Sequence, residues 1–514
     1  MSKFWDDVTL TRLELEALCG LLALNPQDAM RSSTRSRIDG SPDVRTALLK
    51  SLTLKEPVVI HVPDRSPRPL PSLLPLAACL AAALGCADAA PAAGPVRAAD
   101  SLVVENCNDS GPGSLREAFA SALDQDEIDL TELTCSTITL TSGALVNSLA
   151  GTVAVRGPFA PDGQPPALTI NGNYSDSIFR KNSGSLMLYR LAITAGSYHG
   201  ASGGGCIFTE SNLRLDDSAV SDCELSTSGI TDAYGGAIFA GGGVYLNRSA
   251  ITGSTARSTA GDSGGGAIWA ADNIELYAAT ISGNTVSGDG SHYARGGGVF
   301  AGRFFTSTYS TISGNRADTG GGLFAVGGGS NRIMIDNSTV STNEARSIAA
   351  GILVAAPSLS LNIRTSTITG NRAAFGSGAG AYLAGTVQLD SSIIAGNTSS
   401  DGLEASDLHG PAGTNIEGSN NLIIASTLVV PPDTLQLDPK LGPLENNGGR
   451  TATHALLRGS PAIDRGNNVG MRPHDQRIRD AHGVSFDRVV GTSADIGAFE
   501  YGADDLFTDG FDPS

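Results

Sequence analysis

Aromatic side chains make up only 5% of the chain, and no apolar run reaches the roughly 20 residues of a membrane-spanning helix. The sparse aromatics exclude a core built on large rings. Positive charge is short as well, with 34 Lys and Arg against 52 Asp and Glu, for a net charge of −18. A surface of that sign repels a phosphate backbone, so nucleic acid is excluded as a partner. The first 100 residues hold 11 basic and 11 acidic side chains, which puts the whole excess beyond them. Also missing are a G-G-x-G-x-D calcium repeat, His residues at ligand spacing (His199 and His292 read as solvated loop residues) and a compact pair of carboxylates of the kind glycosidases need. No metal or cofactor is therefore expected.

Glycine, at 64 residues, is abundant, and so is repetition. An apolar anchor recurs at Ile193, Val220, Ile251, Ile281, Ile312, Val340, Ile368 and Ile394, with gaps of 26 to 31 residues. Apolar residues stand seven and five positions before nearly every anchor, as in Val244/Leu246 and Leu361/Ile363. A Ser or Ala stands two before, as in Ser249, Ala279 and Ser338. Both spacings have the period of a strand, but their parity is opposite, so the chain turns between them at pairs such as Asp216-Asp217 and Asn247-Arg248. A third strand follows a glycine pair, as in Gly235-Gly236-Ala237-Ile238-Phe239 and Gly265-Gly266-Ala267-Ile268-Trp269. Self-similarity at this period denotes a solenoid. The expected fold is all-β: a right-handed parallel β-helix, a pectin-lyase-like solenoid, with three strands and three corners per rung.

Several columns follow from stacking rungs ~4.8 Å apart. Asn284, Asn315, Asn343, Asn371 and Asn397, three after five of the anchors, form a hydrogen-bonded corner ladder, and a corner role explains Asn337-Ser338-Thr339 and Asn397-Thr398-Ser399 better than glycosylation does. Phe208, Phe239, Trp269, Phe300 and Phe324 form an aromatic column, expected inside the core because an exposed stripe invites aggregation. Thr280/Ser282, Thr311/Ser313, Thr339/Ser341 and Thr367/Thr369 form an outward hydroxyl array.

The two ends differ from the shaft. Leu70–Leu84 is a short apolar run after Arg65 and Arg68, followed by small residues, which reads as a secretion signal within residues 65–97. Residues 1–64 precede it, an odd position that fits a start assigned too early or a helical prefix over Thr11–Leu24. Export makes disulfides admissible: Cys107, Cys135, Cys206 and Cys223 follow the signal, with Cys107–Cys135 and Cys206–Cys223 the preferred of three connectivities. An N-terminal cap and first rung occupy 101–145, with a helix over Ser114–Leu123; repeats fill 146–410; a closing module spans 411–503; an acidic tail spans 504–514.

GSLREAF at Gly113–Phe119 resembles the CSLREA-type N-terminal module of secreted bacterial β-helix proteins, with Gly113 in place of the Cys. Leu437-Asp438-Pro439, Asn447-Gly448-Gly449, Thr453-His454-Ala455-Leu456, Gly459-Ser460-Pro461-Ala462-Ile463-Asp464, Asp475-Gln476-Arg477 and Asp495–Glu500 resemble the choice-of-anchor Q module that closes such solenoids. The glycine pairs and corner Asn residues are similar to polymorphic outer-membrane protein repeats. These resemblances imply a secreted or outer-surface bacterial protein with no established activity. The functional expectation is an adhesin-like scaffold presenting a long face to a polysaccharide or host-surface ligand, with no transmembrane span in the mature chain. The alternatives are a polysaccharide lyase or hydrolase, and a structural or ice-binding solenoid. The densest polar set, His454, Asp464, Asp475, Arg477, Asp495 and Glu500, is expected to be ion pairs and turn caps rather than a catalytic centre.

Overall fold

The computed structural model describes residues 100–502, apart from 162–163, 201–202, 289, 291, 327–331, 356–359, 375–377, 401–405 and 480–484. The prefix, the secretion signal and the acidic tail read from the sequence lie outside the described residues. The rest is an all-β parallel β-helix. One rung runs Ile238–Ala240 in sheet C, Val244–Asn247 in sheet A, Ala250–Thr252 in sheet B and Thr255–Ser258 in sheet D. Sheets A, B, C and D contain 12, 11, 10 and 8 strands, each strand pairing in parallel with its counterpart on the neighbouring rung.

The anchors stack in register, Val220 on Ile251 on Ile281 on Ile312, and are essentially fully buried. Sheet D is the departure from the three-strand expectation. Six of its eight strands bury one apolar residue each, Leu225, Ala256, Val286, Ala317, Ala345 or Ala373, too faint a period to read from the sequence. Three of the arms that follow sheet D pair again, at Ala233–Tyr234, Ser263–Gly264 and Ala294–Arg295, which we call sheet E.

Two hydrogen-bonded ladders hold the corners. Asn284, Asn315, Asn343, Asn371 and Asn397 are buried, and each Nδ2 donates to the Oδ1 of the next at 2.8–3.0 Å. The same Nδ2 groups donate to the preceding rung, at the carbonyls of Ile251, Ile281, Ile312, Val340 and Ile368. Asp407, an acceptor only, ends the ladder by taking Asn397 N and Nδ2 at 2.9 Å. A serine ladder runs beside it, in which the backbone N–H groups of Ser310, Ser338 and Ser366 donate to the hydroxyls of Ser338, Ser366 and Ser392.

Every corner between sheets A and B, from Arg190 to Asn420, turns on one non-glycine residue at φ 45–56°. The corner after sheet B uses Gly253, Gly283, Gly314, Gly370 and Gly396 at φ 63–72°, but Ala195, Asp222 and Thr342 at φ 54–58° on three rungs, of which only Thr342 is β-branched. A β-branched residue is strained there. Thr342→Gly is therefore expected to raise stability by about 0.5–1 kcal/mol, the relief of strain outweighing the added freedom of the unfolded chain. Urea unfolding checks it; a loss of stability would show that the Thr342 hydroxyl bond to Ser341 O (2.7 Å) matters more.

The N-terminal end is sealed by the helix Leu115–Ser121, shorter than the expected Ser114–Leu123. Ser114 caps it, Glu117 returns a carboxylate to Gly113 N at 2.8 Å, and Leu115 and Phe119 face the core. Arg116 fastens the helix to the shaft through Asp109 and the carbonyls of Gly143 and Ala144. Asn147 donates to the carbonyls of Phe119 and Ala122, and its Oδ1 accepts from the fully buried Lys181 at 3.0 Å. Cys107–Cys135 and Cys206–Cys223 are bonded, with Cα–Cα distances of 6.5 and 5.4 Å, both among the early rungs.

Candidate functional site

On sheet C the strand alternation puts Ile238, Ile268 and Val299 in the core, with Ala240, Ala270 and Ala301 beside them. Phe239, Trp269 and Phe300, one residue on, therefore point outward and are half-buried. The aromatic column lies on the outside of the shaft, not in the core as expected from the sequence. Its register runs Arg180, Phe208, Phe239, Trp269, Phe300, Phe324, Leu353, Tyr382, His409, one residue per rung. Rings stack along the axis, with centroids 5.4 Å apart for Phe208–Phe239, 4.5 Å for Phe239–Trp269 and 5.2 Å for Phe300–Phe324. Tyr234, from sheet E, leans between Trp269 and Phe300 at 5.6 and 6.2 Å. Self-stacking consumes the faces of most rings and resolves the aggregation problem; edges and rims meet solvent.

Charge frames this stack. Arg180 lies over the rings of Tyr198 and Phe208, and Arg295 over Tyr293 at 4.1 Å, with Asp262 at 3.3 Å from Arg295. Tyr293 is 64% exposed, an open ring beside the stack. Burial, with the carboxylates of Asp232 and Asp262 adding to it, pushes the Tyr234 phenol up to about 12, so it remains a hydroxyl donor, here to Asp232 at 3.3 Å. The surface can offer apolar rims, hydroxyl and carboxylate groups to a ligand.

The hydroxyl array on sheet B has a different fate. From Thr311 on, the C-terminal segment lies against it. Gln476 bonds both Thr339 (2.5 Å) and Thr311 (2.8 Å), His454 meets Ser341 at 2.7 Å, and Ala498 N donates to Thr367 at 3.0 Å. The segment thus runs back along the side of the shaft, while Leu428 and Val430 pack on the core of the last rungs. The most regular Thr rungs are covered, which removes the flat array that ice binding requires.

Asp475, Arg477, Asp495 and Glu500 come together within this segment and are buried, as the expected ion pairs and caps; Arg488, also buried, joins them unforeseen. Asp464 caps the turn at Thr492-Ser493, and its N–H donates to Asp495 at 2.7 Å. His454 sits apart at the seam, its pKa lowered by burial. Burial likewise pushes the Asp475 and Asp495 carboxyls up. Glu500 accepts from Val490 N and Asp495 N at 2.9 Å, yet burial, against the pull of Arg488, raises its carboxyl to about 8. With a folded value above its ordinary 4.5, Glu500 holds a proton that the unfolded chain has released between those limits. Its contribution is complete below pH 4.5 and lost as pH rises towards 8. The melting temperature of the C-terminal segment is expected to decline across that window, and Glu500→Gln to flatten the decline.

Asp216, Asp336 and Asp390, which share one column, do not adjoin as a carboxylate pair. Asp336 is locked between Arg364 (3.1 Å) and Arg472 (2.8 Å), and Asp390 lies two rungs away in the same column, beyond Arg364. Asp216 is held by Arg214 and Asn247. Asn337 and Asn397 are buried, consistent with corner roles and not with glycosylation. His199 lies on a sheet D strand, Ser197–His199, and bonds Ser226 rather than standing in a loop. Among the described residues no group of three or more His, Cys, Asp or Glu is placed to hold a metal, and no helix is long and apolar enough to cross a membrane. Comparison with protein-family models, curated proteins and solved structures gives no match.

Proposed function

We propose that this β-helix scaffold is a non-catalytic, adhesin-like protein, secreted or held at the outer cell surface, whose sheet C face engages a polymeric carbohydrate. The observation that carries this is the outward aromatic column, partly exposed at Phe239, Trp269 and Phe300 and buried at Phe208 and Phe324. A contiguous apolar stripe on a charged surface marks an interaction site. Its repeat of ~4.8 Å per rung suits a ligand that is itself periodic. Since neighbouring rings occupy most faces, the grip comes from ring rims, the open Tyr293 and hydrogen bonds to Asp232 and Asp262. Export is supported by the signal-like run within residues 65–97, by the two disulfides and by the resemblance of both ends to secreted β-helix modules. A lyase or hydrolase is less favoured, because Asp216, Asp217, Asp262 and Asp336 are each paired with an arginine.

The test is a panel of immobilised polysaccharides probed with residues 90–514, followed by assay for new reducing ends. Trp269→Ala combined with Phe300→Ala is expected to weaken polymer binding about ten-fold or more while circular dichroism and melting stay near wild type. Unchanged affinity in a folded double variant, or release of reducing ends, would sink the proposal.

A further inference from the structure

The C-terminal segment does not seal completely against the shaft. At the corner between sheets A and B it leaves a cavity of about 100 Å³, walled by Asp336, Arg364 and Asp390 on the shaft and by Asn467, Val469 and Met471 on the segment. That is room for several waters or for one small ring. Its chemistry is selective. Asp336 is neutralised by Arg364 and Arg472, so little negative charge remains there to draw a cation. Asp390 stands on the other side of Arg364 in the same column and disfavours an anion. Arg364 commits Nη2 to Asp336 while its side chain stays about one-third exposed, which leaves Nη1 as a donor to an acceptor in the cavity. Asp390 accepts from Gln388 at 2.8 Å and from Ser419 N at 3.1 Å, which leaves lone pairs for further donors. Val469 and Met471 supply apolar surface.

Neighbouring hydroxyls on a ring satisfy such a set, donating to Asp390 while accepting from Arg364, with ring C–H groups against Val469 and Met471. We infer that this cavity is a subsite for one neutral pyranose unit, held between shaft and C-terminal segment. The subsite is separate from the sheet C face and does not rest on the function proposed for it. Because folding alone brings the two walls together, a ligand that binds between them stabilises the folded chain.

The full chain is titrated with D-glucose, D-galactose, D-mannose and N-acetyl-D-glucosamine, followed by saturation-transfer NMR and thermal unfolding. At least one is expected to bind and to raise the melting temperature. Asp390→Asn and Arg364→Met are each expected to weaken it about ten-fold, the size of one lost hydrogen bond to a charged or buried group. Trp269→Ala is expected to leave this monosaccharide binding intact even where it abolishes polymer binding, so failure of one site is told apart from failure of the other. The inference is overturned if none of the four sugars binds, or if binding is unaffected by both cavity variants.

Discussion

Replacing Asn343 by Ala is expected to cost about 3–5 kcal/mol, far beyond a surface substitution, because it breaks a buried ladder in its middle. Asn343 Oδ1 accepts from both Asn315 N and Asn315 Nδ2, and its own Nδ2 donates to Asn371 Oδ1 and Ile312 O. Alanine leaves the Asn315 amide groups and the Ile312 carbonyl without these partners in a place water does not reach, and each orphan costs about 1–3 kcal/mol. Asn343→Asp fares little better: it preserves the acceptor for Asn315 but cannot donate onward, and it buries a charge between rungs. Only at the end of the ladder does the pattern tolerate a carboxylate, and there the chain has Asp407, with no further Asn rung to supply. Long solenoids need not unfold in one step, so the direct readout is amide exchange at Asn315 beside the urea transition. A shift below about 1 kcal/mol, with Asn315 still protected, would show that the corner holds by packing alone.

The ladder was legible in the sequence because an Asn recurring at a fixed distance from an apolar anchor suits little besides a corner hydrogen bond. So were sheets A, B and C, whose inward residues are large and strictly spaced. The aromatic column was misplaced for a physical reason. Ile238-Phe239, Ile268-Trp269 and Val299-Phe300 are adjacent apolar pairs, and alternation alone does not say which member faces in. The small residues Ala240, Ala270 and Ala301 share parity with the aliphatic member and fit a tight interior, a signal that was present and points the rings outward. Sheet D was missed because a strand that buries one alanine leaves no period. The docking of the C-terminal segment along sheet B depends on Gln476 and His454 finding hydroxyls more than 100 residues away, a tertiary choice that no local pattern encodes. The corners at Asp217 and Arg248 fall in the turn-forming pairs read from the sequence, but their left-handed backbone was not legible, since none of those residues is glycine.

Arg477→Met is expected to release the C-terminal segment while leaving the shaft folded. Arg477 is fully buried, clamped between the rings of Phe486 and Phe499 at 4.1 and 4.0 Å, and its guanidinium pairs with Asp475 at 2.7 Å and donates to Glu500 O at 2.9 Å. Methionine fills much of the space between the rings, but it leaves the Asp475 carboxylate in the interior with backbone donors only. Removing one partner of such a pair costs about 3–5 kcal/mol, more than most of the polar contacts that fasten the segment to sheet B. The rungs do not share that loss, because each depends on its immediate neighbours. Limited proteolysis is therefore expected to cut between Thr453 and Glu500 in the variant while the repeats resist. Adding Asp475→Asn should restore part of the stability, since the orphaned charge is gone and the amide oxygen still accepts from the backbone. If both variants instead lose the whole shaft together, the segment is an integral part of the solenoid's cooperative unit, and Thr311, Thr339 and Thr367 are core positions in energy as well as in burial.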